Sequence, residues 1–254
     1  MTPKHPGFQD PSYRARRDFI ASHLAQTCED IDYLDTEHWT WQYVVNSLND
    51  LYKENACKPY REALSAVDIS IDKIPQFREI NKALAPYDFR VFPVEGLIST
   101  RRFMQELSDG TMLCTRYIRH HSHPYYTPEP DIIHEVMGHC VFFADEKYRK
   151  LNRAFGKAAR KANDVVLEKI AQLYWYTVEF GICTEDNKPK AFGAGLLSSV
   201  QELTNMKSVK TDQLDFDVIM RTSYDTMNPH TKLYRSPDSF YDTTVKIIDF
   251  LSQI

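Results

Sequence analysis

Trp41, Val44, Val45, Leu48, Leu51 and Tyr52 recur at intervals of three and four with polar residues between them, the apolar stripe of an amphipathic helix. The same period places a second helix around 74–84, through Ile74, Phe77, Ile80 and Leu84. A third falls within 160–180, through Val166, Ile170, Leu173, Tyr174 and Thr177. Ser236-Pro237 reads as an N-cap followed by proline in the first helical position, opening a last helix through Phe240, Ile247 and Leu251. Strand-like stretches are short: Phe89–Val94, interrupted by Pro93, then Met112–Arg119 and Ala191–Ala194. The pattern predicts a predominantly helical α+β fold with a few short strands near the middle of the chain. No repeat, low-complexity tract or linker interrupts it. One domain over residues 1–254 is therefore expected, with the weakest pattern in residues 1–35.

Composition narrows the class. Lys plus Arg is 31 against 35 Asp plus Glu, a net charge of −4 with no basic block, which excludes a nucleic-acid partner. No apolar run approaches the roughly 18 residues of a membrane span, and the first residues lack the apolar core of a signal peptide. A soluble, cytoplasmic protein is expected. The odd number of scattered cysteines (Cys28, Cys57, Cys114, Cys140, Cys183) fits free thiols in a reducing compartment. Only 8 glycines beside 13% aromatic residues favour a helix-rich fold with a well-filled core.

The chemistry concentrates in Thr127-Pro-Glu-Pro-Asp-Ile-Ile-His134-Glu135-Val-Met-Gly-His139. The two histidines are five apart, not the four that put both imidazoles of a zinc-protease motif on one helical face. At about 100° per residue, five steps turn the side chain by roughly 140°, so both rings reach one metal only if the helix ends or bulges between them. Gly138 permits such a departure. Pro128 and Pro130 fit a first helical turn with Thr127 as its cap. A histidine pair alone does not define a metal site. Glu179, however, is the single charge in the apolar run Leu173–Gly181, and a buried glutamate needs a cation or hydrogen-bond partners. Two histidines and one distant carboxylate serve non-haem iron(II), and zinc hydrolysis uses the same ligand types.

Four stretches, in this order, resemble the tetrahydropterin-dependent aromatic amino acid hydroxylases: Tyr117-Ile-Arg-His120, Tyr126-Thr-Pro-Glu-Pro-Asp131 running into His134-Glu-x-x-Gly-His139, Tyr174-Trp-Tyr-Thr-Val-Glu-Phe-Gly181, and Gly193-Ala-Gly-Leu-Leu-Ser-Ser199. The likeness extends from about Trp39 to the C-terminal helix. It implies iron(II) held by His134, His139 and Glu179, with Glu135 near the pterin. It implies an amino acid carboxylate held by Arg119, Thr127 and Ser198, a substrate ring flanked by Pro130 and Trp175, and Asp131 and Ser199 close by. A planar guanidinium suits such a clamp. Pro93-Val-Glu-Gly-Leu-Ile98-Ser-Thr100-Arg-Arg-Phe103 resembles the pterin loop, with Phe103 stacking on the ring and Ile98 and Thr100 beside it.

The reaction implied is ring hydroxylation of a free aromatic amino acid by iron(II), dioxygen and a tetrahydropterin such as tetrahydrobiopterin, with L-phenylalanine converted to L-tyrosine. Tyrosine or tryptophan hydroxylation, a zinc hydrolase with Glu135 as base, and a non-catalytic metal- or pterin-binding protein are the alternatives. The resemblance also implies a monomeric, catalytic-domain-only form of the bacterial type, without a regulatory domain or tetramerisation tail. Three departures from the family pattern stand out: Cys140-Val141 where a proline usually follows, Phe192 for a frequent tyrosine, and the charged Tyr148-Arg-Lys-Leu151. His121 and His123 are expected to be solvated loop residues.

Overall fold

A computed structural model describes residues 5–23, 27, 29–96, 98–125, 127–224 and 232–254. The chain enters through α1 (Pro11–His23) and α2 (Asp35–Asn55), whose stripe of Trp41, Val44, Val45, Leu48 and Tyr52 is fully buried. The indole N–H of Trp41 donates to the Ile71 carbonyl at 2.7 Å, which satisfies the one polar group that this large side chain brings inside. Helix α3 (Lys58–Ala66) follows, then α4 (Phe77–Leu84). The second predicted helix thus starts three residues later than Ile74, because Gln76 and Glu79 form a capping box there.

Strands β1 (Arg90–Pro93) and β2 (Thr111–Cys114) pair in parallel across the crossover helix α5 (Thr100–Ser108). Pro93 is tolerated at the strand's last position. A π-helix, His134–Cys140, comes next, then a 3-10 turn, Val141–Ala144. The long helix α6 (Glu146–Lys161) is absent from the periodicity reading. Its buried face combines Tyr148, Leu151 and Phe155 with Asn152, Gly156, Ala158 and Ala159, so large side chains hold only three of its seven buried positions. Gly156 is there for close approach: a Cβ would lie 2.4 Å from the backbone nitrogen of Ser108, where α5 crosses.

Helix α7 (Asp164–Tyr174), capped by Asn163, continues as a second π-helix, Trp175–Glu179. A hairpin of β3 (Ile182–Glu185) and β4 (Lys188–Ala191) turns at Asp186 and Asn187, both with positive φ, as a two-residue turn requires. Short helices α8 (Ala194–Leu197) and α9 (Val200–Asn205), strand β5 (Thr211–Gln213), helix α10 (Phe216–Ile219), strand β6 (Leu233–Arg235) and helix α11 (Phe240–Ser252) complete the order. The second sheet runs β4-β3-β6-β5. Most strands therefore lie later in the chain than the sequence pattern suggests.

Two local expectations are corrected. The last helix is capped by Ser239, not Ser236: Ser236 instead continues the sheet, its N–H donating to Ile182 O and its hydroxyl accepting from Thr243. Thr127 caps no helix. Its hydroxyl binds the Glu129 backbone, and the turn that begins at Ile132 is capped by Asp131, which accepts from the His134 N–H at 3.1 Å. Cys57, Cys114, Cys140 and Cys183 are free and buried, while Cys28 lies outside the described residues, as do Leu97 and Tyr126 of the resembling stretches. Among the described residues no helix is long and apolar enough to cross a membrane.

Candidate active site

The two π-helices carry the site. Winding from i→i+4 to i→i+5 brings residues five apart onto one face, so His134 and His139 point the same way. Gly138 matters through packing: a Cβ on it would lie 2.9 Å from Ala194, so its absence lets the His134–Cys140 turn press against α8. Glu179 ends the second π-helix and reaches the same point. The Nε2 atoms of His134 and His139 are 3.2 Å apart, and Glu179 oxygens lie 3.2 Å from His139 Nε2 and 3.5 Å from His134 Nε2. Ligands about 2.1 Å from one ion stand about 3.0–3.4 Å apart, so the three donors fit a single metal.

Hydrogen bonds behind the rings agree. The Ser198 hydroxyl donates to Ala194 O at 2.7 Å, so at 3.0 Å it accepts from His134 Nδ1–H and leaves the Nε2 lone pair facing Glu179 and His139. His139 Nδ1 lies 2.9 Å from the Tyr148 hydroxyl. Burial pushes His134 down to about 4, against the pull of Glu179, so it stands as a neutral imidazole. Burial opposes charge on His139 too, but the Glu179 carboxylate outweighs it and raises that pKa, and the reciprocal attraction lowers Glu179 against its own burial. Three lone-pair donors converging in a buried place are the arrangement that a cation resolves.

Above this floor opens a cavity of about 430 Å³, within the range of small-molecule sites. The metal-ligand positions line it, as do Ile98, Thr100, Phe103 and Glu135 of the expected pterin set and Arg119, Thr127, Pro130, Trp175, Ser198 and Ser199 of the expected substrate set. Half-buried Phe103 meets Tyr174 edge-on at 5.8 Å. Trp175 stacks on Tyr224 at 4.6 Å and leans on Phe180, so its ring is fixed as a wall. Burial raises the Glu135 carboxyl to about 7, although Thr115 donates to its Oε1 through both N–H and hydroxyl.

Arg119 is already engaged. Its Nε and Nη2 both bond Asp131 at 2.8 Å, in a pair with side chains 2% and 0% exposed. Burial alone would raise the Asp131 carboxyl, and the guanidinium instead holds it below the usual range. The remaining edge of the fork faces the carbonyls of Pro124 and Ser198, at 3.3 and 3.4 Å. Asp131 thus braces the arginine beneath the cavity and does not line it. His121 and His123 are exposed, as expected, while His120 is buried against Tyr13 and Asp10. At the departure Cys140-Val141, the Val141 N–H donates to Val136 O, a bond proline could not make.

Sequence reasoning missed Thr115, Tyr148, Glu202 and Tyr224. Tyr148 lay in the stretch that departs from the family pattern, which was its only signal; the other three become visible only as cavity wall or as partners of wall residues.

Comparison with known proteins follows the same lines. A family model described as biopterin-dependent aromatic amino acid hydroxylase matches residues 1–254. Human phenylalanine-4-hydroxylase is 38% identical over 98% of this chain, and tyrosine 3-monooxygenase of Caenorhabditis briggsae is 36% identical over 99%. The chain spans 58% and 51% of the lengths of these two relatives. A crystal structure of Chromobacterium violaceum phenylalanine hydroxylase with bound iron(III) and the oxidised cofactor 7,8-dihydrobiopterin superposes with a TM-score of 0.79 at 25% identity, covering 94% of this chain and 90% of that one.

Proposed function

Because this chain belongs to the biopterin-dependent aromatic amino acid hydroxylases, we propose that it hydroxylates the ring of a free aromatic amino acid, using iron(II), a tetrahydropterin and dioxygen, and that L-phenylalanine is its substrate and L-tyrosine its product. The observation that carries this reading is the convergence of His134, His139 and Glu179 within 3.5 Å on the floor of an aromatic-walled cavity. We further read residues 1–254 as a single catalytic domain, since the buried residues from Ile20 to Leu251 join one core.

Iron(II) held by the three donors would keep coordination positions open and supply the oxidising chemistry, together with dioxygen and the reduced pterin. The protein's part is positioning. Asp131 locks the Arg119 guanidinium, whose outer edge exchanges its long bonds to the Pro124 and Ser198 carbonyls for the amino acid carboxylate. Trp175, fixed by Tyr224 and Phe180, and Pro130 hold the substrate ring over the metal floor. Phe103 offers its face to the pterin, with Ile98 and Thr100 alongside. Glu135 is anchored through Oε1 by Thr115, leaving Oε2 for a pterin N–H. The largely apolar walls exclude water from the reacting atoms.

Tyrosine is the second substrate to consider, because the nematode relative is a tyrosine 3-monooxygenase of nearly equal similarity. An aerobic assay with iron(II), a tetrahydropterin and phenylalanine, tyrosine or tryptophan in separate reactions decides. Tyrosine formed from phenylalanine, and requiring both iron and pterin, is the expected result; no hydroxylated product with iron bound would overturn the reading.

A further inference from the structure

The two histidines of the metal floor are held from behind by different groups. His134 leans on Ser198, a residue of the cavity wall. His139 leans on Tyr148, which lines no part of the cavity and comes from α6, packed behind the π-helix. Tyr148 is 0% exposed, its ring stacked on Phe142 at 4.2 Å and tilted against Phe143 at 5.4 Å. Its backbone N–H is tied to the Asp145 cap at 2.8 Å, so ring and hydroxyl have little freedom.

One turn further along α6, Asn152 is likewise 0% exposed. Its Nδ2 donates to Tyr148 O at 2.9 Å, which holds the backbone of that residue as well. A metal bound to His139 Nε2 requires the proton on Nδ1, which must then be given to the Tyr148 oxygen.

We propose that Tyr148, its carbonyl held by Asn152, is a positioning residue of the metal site: the bond from His139 Nδ1–H to Tyr148 Oη fixes the tautomer and ring orientation that present Nε2 to the ion. The inference rests on the iron-site reading above.

Tyr148→Phe removes the hydroxyl and keeps the stacked ring. Iron(II) affinity, measured by competition with a chelator, should fall about 10- to 100-fold, as losses behind a metal-bound histidine do, and the visible spectrum of the cobalt(II)-loaded protein should shift. Asn152→Ala, which keeps the hydroxyl and removes the bond that holds the Tyr148 carbonyl, should give a smaller loss in the same direction and decides the matter if Tyr148→Phe does not fold. Circular dichroism and thermal midpoints of the metal-free proteins monitor the fold. Unchanged affinity and an unchanged cobalt spectrum, with only the midpoint lowered, would make Tyr148 a core residue and overturn the proposal while leaving the iron site intact. A wild-type protein that binds no iron(II), or whose binding survives His139→Ala, would overturn the iron-site reading and this inference together.

Discussion

Among the described residues, two places bring three potential ligands within 4.8 Å of one another: His134, His139 and Glu179 on the cavity floor, and Cys57, Cys183 and Glu185 between α3 and β3. Proximity is equal; satisfaction is not. In the second group, Glu185 takes the Lys58 N–H at the start of α3 with both oxygens, at 2.9 and 3.0 Å, and Cys183 Sγ donates to Lys190 O. Burial pushes the Cys57 thiol well above its usual range, which keeps it protonated and a poor ligand. These groups are helix cap and core. In the first group, the bonds behind the rings use Nδ1 and leave Nε2 lone pairs facing a carboxylate. A ligand set is recognised by what its donors lack inside the protein, not by how close they lie.

The sharpest way to break this comparison is to remove a donor from each group. Glu179→Gln or His139→Ala should weaken iron(II) binding by more than about 100-fold and abolish turnover with the fold retained, read by metal analysis, assay and circular dichroism. Turnover surviving in an iron-depleted variant would place the chemistry elsewhere.

The next effect concerns the cavity wall. Arg119→Lys keeps the charge but loses the fork shared by Asp131 and the expected carboxylate, so KM for the amino acid should rise by about tenfold or more, with kcat less affected. The thermal midpoint should fall as well, because Asp131 is left buried with half of its pair. An unchanged KM would remove Arg119 from substrate binding.

Glu202, in the same wall, sharpens the comparison through pH. Burial lifts its carboxyl from 4.5 to about 7. A folded-state pKa above the unfolded one gives stability that is present in full below the unfolded value and is lost as pH rises through the folded value. Glu202→Gln lacks that loss, so its thermal midpoint relative to wild type should increase between about pH 5 and pH 8. A difference independent of pH would show that the carboxyl titrates normally. The smallest effect is expected from Cys183→Ser, which should leave iron affinity and kcat unchanged; lowered iron content there would mean that both groups bind metal.

Much of the site could be read from the chain because its signals are local. The five-residue spacing let His134 and His139 share a metal only if the helix ended or bulged between them, and a π-helix is what the backbone forms. Glu179, alone in an apolar run, had to meet a cation or donors. Helix α2 was equally plain, since five large apolar residues mark its buried face. Helix α6 was not, because beside Tyr148, Leu151 and Phe155 its inward face is made by Asn152, Gly156 and two alanines, whose value lies in what crosses them. Thr127 illustrates the opposite error: a good capping residue stood near a helix, but the chain had four more residues to travel and Asp131 took the role.

By itself, the sequence determined which side chains could bind a metal, which helical faces turn inward, and that the backbone must depart from a regular helix between the two histidines if they share one metal. Those follow from residue chemistry and from the period of a helix, which act over a few residues. Only the tertiary structure decided that Asp131 braces Arg119, that Tyr224 supports Trp175, and that Tyr148 and Asn152 stand behind His139. Hydrogen bonds and ring contacts act over about 3–6 Å, so they exist only once packing has brought distant segments together.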